Sequence, residues 1–163
     1  NGALRRYRNA VAYQEPPYTT SLELMDYIRE ATPDSLVYIL EDMFETITLY
    51  MNYVDEATCT RREDGRYVVN LIVKAKKLRA DGQGRETEIP IDDWIDIGVF
   101  GQEEVDGRTE EKILYLKKHR IKKSETNFHL VVDEKPVSAG IDPYNKLIDR
   151  DSGDNVTRVK DVP

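Results

Sequence analysis

The sequence predicts a mainly β protein. An antiparallel sandwich of immunoglobulin-like arrangement spans residues 53–163, and about three helices precede it in residues 1–52. Three observations carry this. Apolar residues recur at helical spacing before residue 52 and alternate with polar ones after it. Asp-Gly pairs stand at 64–65, 81–82 and 106–107, between alternating runs. The six or seven strand-like runs are short and separated by turn-forming residues, as sandwich strands are.

The first helix follows from Leu4, Tyr7 and Val11 on one side, with Arg5, Arg6 and Arg8 largely on the other. Pro16-Pro17 stops it. Thr20 followed by Glu23 is a capping box that opens a second helix carrying Leu24, Met25 and Ile28. Thr32-Pro33-Asp34 is a further start signal: an N-cap hydroxyl, proline at the first helical position, then an acid suited to the helix dipole. The third helix would place Leu36, Leu40, Met43, Phe44, Ile47 and Met51 on one apolar stripe. Three short helices cannot cover so wide a stripe, so it asks for a partner.

Beyond residue 52 the period becomes two. Tyr67, Val69, Leu71, Val73 and Ala75 alternate with polar residues, and the Asp64-Gly65 turn pairs this strand with residues 54–62. Strands at 93–101 and 110–121 flank Asp106-Gly107. Ile95, Ile97 and Val99 share one face, as do Phe128, Leu130 and Val132 in the next strand. Asp151-Ser152-Gly153-Asp154-Asn155 turns into a last strand, 156–162. The expected core is Tyr67, Val69, Leu71, Val73, Ile95, Ile97, Val99, Leu130 and Val132.

Composition narrows the function. The chain carries 24 Lys plus Arg against 31 Asp plus Glu, a net charge of -7, which argues against a nucleic-acid binder living on phosphate contacts. No apolar run approaches the roughly 20 residues that span a bilayer, and the composition reads as soluble and folded. One cysteine, Cys59, excludes an internal disulfide and a cysteine-based zinc site.

Four groups could carry chemistry. His119 and His129 lack the H-E-x-x-H spacing of a helical zinc site and sit in strands, where edge histidines are the plainer reading. Asp92, Trp94 and Asp96 fall on one face, beside Asp93, and could hold a hard cation; a solvated outer face explains them better. Asp149, Asp151 and Asp154 look like the start of a calcium loop, but the glycine is misplaced and no Glu closes it. Lys112, Lys117, Lys118, His119, Arg120, Lys122 and Lys123 form a cationic stretch suited to lipid headgroups or acidic partners, or to guarding a sheet edge. None supplies a catalytic, cofactor-binding or metal-ligating residue.

The order of elements adds a resemblance. Ala3–Tyr13, the helix after Thr20 and the Thr32-Pro33-Asp34-Ser35-Leu36 start, running into a sandwich, resemble the end of an aminopeptidase N-type zinc peptidase. In that family helices close a thermolysin-like catalytic domain and an all-β domain follows. Gly140-Ile141-Asp142-Pro143-Tyr144-Asn145-Lys146-Leu147-Ile148-Asp149 is similar to the closing strand of that domain. Ile39–Tyr50 and Asp93-Trp94-Ile95-Asp96-Ile97-Gly98-Val99-Phe100 look like a bacterial branch in which a transporter-permease-like membrane region is fused to a peptidase-like domain.

The resemblance implies that this chain is a non-catalytic C-terminal piece of a membrane-associated parent. Zinc and the catalytic residues would lie before Asn1, and no cofactor would sit in the chain itself. Residues 1–52 would close the catalytic domain, which is the implied partner, while self-association through the 36, 40, 43, 44 and 47 stripe would be the fallback. The alternatives are a stand-alone sandwich recognising protein or glycan, and a calcium-binding sandwich.

Overall fold

A computed structural model describes residues 1–162 of the chain, which divides into two compact units, residues 1–47 and those from Thr48 onward. The first unit is helical. Helix α1 spans Gly2–Val11 and α2 spans Ser21–Ala31. The Thr20 side chain accepts the Glu23 amide hydrogen, as the capping box predicts, while the Glu23 carboxylate takes the Thr19 hydroxyl at 2.7 Å. Tyr7 and Tyr27 meet edge to face with centroids 5.7 Å apart, the Tyr7 hydroxyl lies 3.1 Å from Thr19 Oγ1, and Arg6 pairs with Glu30. No residue of α1 or α2 is buried.

The third helical segment differs from its prediction twice. Thr32 does not cap it: held extended before Pro33, Thr32 donates its hydroxyl to the Ile28 carbonyl at the end of α2. The segment is also short and changes pitch. One 3₁₀ turn, Asp34–Leu36, leads to α3, Val37–Leu40, and to a π turn, Glu41–Glu45, closed by the Thr46 amide on the Glu41 carbonyl. Ile47 and Met51, expected on its apolar stripe, belong to the first strand instead and are exposed, at 52% and 42%. The residues facing inward there are Thr48, Tyr50 and Asn52. Polar residues on the buried face and apolar ones outside let Met43, Phe44, Ile47 and Met51 imitate a helical period.

The second unit is the sandwich. Its first sheet runs β3 (Glu86–Ile89), β2 (Tyr67–Ala80), β1 (Ile47–Arg61), β9 (Lys160–Asp161), with β6 (Glu125–Val132) on the same edge of β2 as β3. Register places Leu71 opposite Phe128 and Leu78 opposite Glu88, so β6 and β3 follow one another along that edge. The second sheet runs β5 (Arg108–Ile121), β4 (Asp93–Val105), β7 (Ser138–Ile141), β8 (Val156–Arg158). The expected last strand is thus two strands in two sheets, and β9 pairs β1 in parallel, the exception to the antiparallel rule expected of the sandwich. The second sheet's predicted hairpin is as expected, with Val105 opposite Arg108 across Asp106-Gly107, both at positive φ.

Between the sheets, Val69, Leu71, Val73, Ile95, Ile97, Val99, Leu130 and Val132 are buried with Ala57, Cys59, Ile121, Ala139 and Ile141; Tyr67 packs on their margin. Apolar alternation on both sheets closes this core. No described helix is long and apolar enough to cross a membrane.

The β7–β8 pairing depends on one glycine. A Cβ on Gly140 would stand 2.2 Å from the Asn155 carbonyl oxygen and 2.9 Å from Val156 Cα, both backbone. Gly140→Ala must push β8 off its partner, an overpacking cost of about 1–3 kcal/mol or more. Thermal unfolding should show a Tm lower than that of Gly82→Ala, where a Cβ meets nothing within 4 Å.

Candidate functional site

The acidic run that opens β4 is where the structure concentrates polar chemistry. Strand alternation separates its members as expected for Asp92 and Trp94: both point outward, and Asp92 takes the Arg120 guanidinium at 2.5 and 3.0 Å. That hydrogen bond holds the Asp92 carboxyl below its ordinary range. Asp96 shares their face but is buried, a departure from the solvated face expected of it. The segment after β7 covers it: Lys146 donates to Asp96 at 2.7 Å, and Tyr144 meets the Phe100 ring edge to face, while Lys118 of β5 donates to Asp96 at 3.4 Å. Burial pushes the Asp96 carboxyl up, and the two lysines bring it net below the ordinary value.

That covering segment is shaped by Asp142, itself buried with φ 44. Its carboxylate accepts the Lys146 and Leu147 amides at 3.0 and 2.9 Å, folding residues 142–147 into a turn over β4. Burial pushes its pKa up, against the pull of those two amides.

Asp93 faces the other way. It stands among the core residues, 2% exposed, and receives the Lys77 ammonium at 2.9 Å and the Tyr50 hydroxyl at 3.3 Å on one oxygen. Lys77 is 6% exposed, with its Nζ 5.7 Å from the centre of the Tyr50 ring. Three strands, β1, β2 and β4, therefore meet in one buried charged knot that joins the two sheets. The sequence held its signal: Lys77 continues the inward run Leu71, Val73, Ala75, and Asp93 begins the inward run Ile95, Ile97, Val99.

The remaining candidates lie apart. Asp149, Asp151 and Asp154 do gather beside β1, but their carboxylates serve the backbone: Asp149 accepts the Asn52 and Asp151 amides, and Asp151 accepts that of Gly153. Burial, then the neighbouring Asp151 and Asp149, raises the Asp154 carboxyl. His129 is exposed and bonds Asn70 at 2.6 Å; His119 is half-buried against Tyr115 and Phe128. Buried Cys59 donates to Asp161, and burial with that bond pushes its thiol up to about 11, an inert state for a nucleophile. Among the described residues no group of three His, Cys, Asp or Glu is placed to hold a metal ion.

The cationic stretch is partly neutralised. Lys112 pairs with Glu134, Lys118 with Asp96 and Arg120 with Asp92. Lys122 borders an open groove of about 450 Å³ with Lys76, Glu88, Pro90 and Ser124. The carboxamides of Asn52 and Asn155 are fully buried with no hydrogen-bond partner among the described residues, a cost of about 1–3 kcal/mol each where it stands. No family model matches the chain, and no curated protein or solved structure is significantly similar to it.

Proposed function

We propose that the chain is a non-catalytic, supporting C-terminal region of a membrane-linked zinc aminopeptidase-like protein. In this reading the helical unit docks on the catalytic domain and the sandwich braces it. The observation that carries the reading is the helical unit itself. Its two longer helices are amphipathic and none of their residues is buried, while Leu4, Tyr18, Leu22, Met43 and Phe44 stand exposed. Large apolar side chains left in water at that density mark a surface meant to be covered.

Zinc would belong to the parent's catalytic domain. The donors here do not fit it: Cys59 is buried on Asp161, His129 lies on an outer face, and His119 packs between aromatic rings. A zinc centre needs about three convergent protein ligands and an open position.

Sedimentation and dye binding test the docking surface. The purified chain should self-associate or bind an apolar dye, and Leu22→Glu with Phe44→Glu should suppress both. A strictly monomeric, dye-silent chain would instead favour a free-standing interaction module. Stoichiometric zinc after dialysis, with peptide turnover lost on His119→Ala, would overturn the non-catalytic reading.

A further inference from the structure

The two sheets are closed by side chains, not hydrogen bonds, along the side where β5 faces β6. Strand β5 is the edge of its sheet, and β6 belongs to the other. His119 of β5 lies opposite Ile95 in register, and Phe128 of β6 lies opposite Leu71, so both stand on core-facing positions. The imidazole meets the Phe128 ring at 4.9 Å, tilted 68°, and stacks on Tyr115 at 6.0 Å. Its Nε2 is 2.7 Å from the Tyr115 hydroxyl.

Burial raises the Tyr115 phenol above its ordinary value, so Tyr115 keeps its proton and donates it. In the neutral imidazole with its proton on Nδ1, Nε2 can accept that hydrogen bond. We propose that His119 is a pH-operated latch: neutral, it holds the β5 edge against β6, and protonation releases that edge.

Protonation acts on this contact in three ways. It places an N–H on Nε2, so the Tyr115 hydroxyl can no longer donate there and must turn to accept. It puts a charge on a partly desolvated ring. It sets that charge near Lys117, the charged neighbour on the same strand. The other groups around the ring are Tyr115 on β5, Phe128 on β6 and Ile95 on β4, and among the described residues no carboxylate acts on it to offset the charge. An attraction between imidazolium and the Phe128 ring opposes release. Burial, with Lys117 second, lowers the His119 pKa from its ordinary value.

The sign follows from linkage. A histidine whose folded-state pKa is depressed lends its full stability above the unfolded value of 6.5 and loses it as pH falls through its folded value. Opening there would bare Phe128 and the buried Ile121.

The chain has two histidines, so His129→Gln isolates the His119 imidazole signal in a proton NMR titration from about pH 8 to about pH 5. The expected midpoint lies below 6.5, the ordinary value. Protection of the β5 and β6 amides, corrected for the intrinsic pH dependence of exchange, should fall across the same midpoint while β2–β3 and β4–β7 stay protected. His119→Phe, which keeps a ring and cannot titrate, should abolish the pH dependence of exchange; if that variant fails to fold, the titration of His129→Gln decides alone. A midpoint at or above 6.5, or titration without a change in β5 and β6 exchange, would overturn the latch.

Discussion

Asp93→Ala should destabilise the sandwich by about 3–5 kcal/mol, the cost of leaving one member of a buried ion pair without the other. The carboxylate is 2% exposed and the Lys77 ammonium beside it 6%, so water cannot replace what is lost. Lys77→Met should cost a similar amount, because it leaves the buried Asp93 carboxyl without the ammonium, beside the Tyr50 hydroxyl and the Asp92 amide. Tyr50→Phe removes one neutral donor and should cost about 1 kcal/mol. The decisive comparison is the double variant Lys77→Met with Asp93→Leu. Two charges removed together take their desolvation penalty with them, so the pair should lose much less than the sum of the singles. Urea unfolding of the wild type, Lys77→Met, Asp93→Leu and the double variant measures this, and additive losses would show that the two residues do not act as one unit.

The second large effect belongs to the apolar core. Leu71 is completely buried, at 0% exposure, in the middle of β2 and opposite Phe128. Leu71→Ala should cost about 2–5 kcal/mol, the transfer free energy of the lost methyl groups plus that of the cavity they leave. The control is Ile113→Ser on β5, 53% exposed, which should shift stability by no more than about 0.5 kcal/mol. Equal losses at the two positions would mean that the core does not lie between the sheets. Because Leu71 supports Phe128, Leu71→Ala should also loosen the His119 contact and raise amide exchange in β6 first.

The strands were legible where one face is apolar throughout. Val69, Leu71 and Val73, then Ile95, Ile97 and Val99, then Leu130 and Val132, all lie inward as their alternation demands. A period of two leaves a strand no other way to hide them. The turns were legible for a chemical reason: Asp106-Gly107 takes positive φ at both residues, which few other pairs tolerate.

The start of β1 was not legible, because its buried residues are Thr48, Tyr50 and Asn52 and its exposed ones include Ile47 and Met51. Hydrophobic patterning reads such a segment inside out. The division of residues 156–162 between two sheets was hidden for another reason: Arg158 and Lys160 are neighbours in sequence, and only their partners, Ser138 and Thr58, separate them.

The candidate site divides along the same line. Sequence alone determined that Asp92, Trp94 and Asp96 share a face, and that Lys77 and Asp93 fall on core-facing parity. It could not say that residues 142–147 fold back over Asp96, or that Asp93 meets a lysine 16 positions away. Parity is a local property, fixed by the backbone's own geometry. Which charge neutralises which depends on the stacking of two sheets about 10 Å apart, and only the assembled core brings those sheets to that distance.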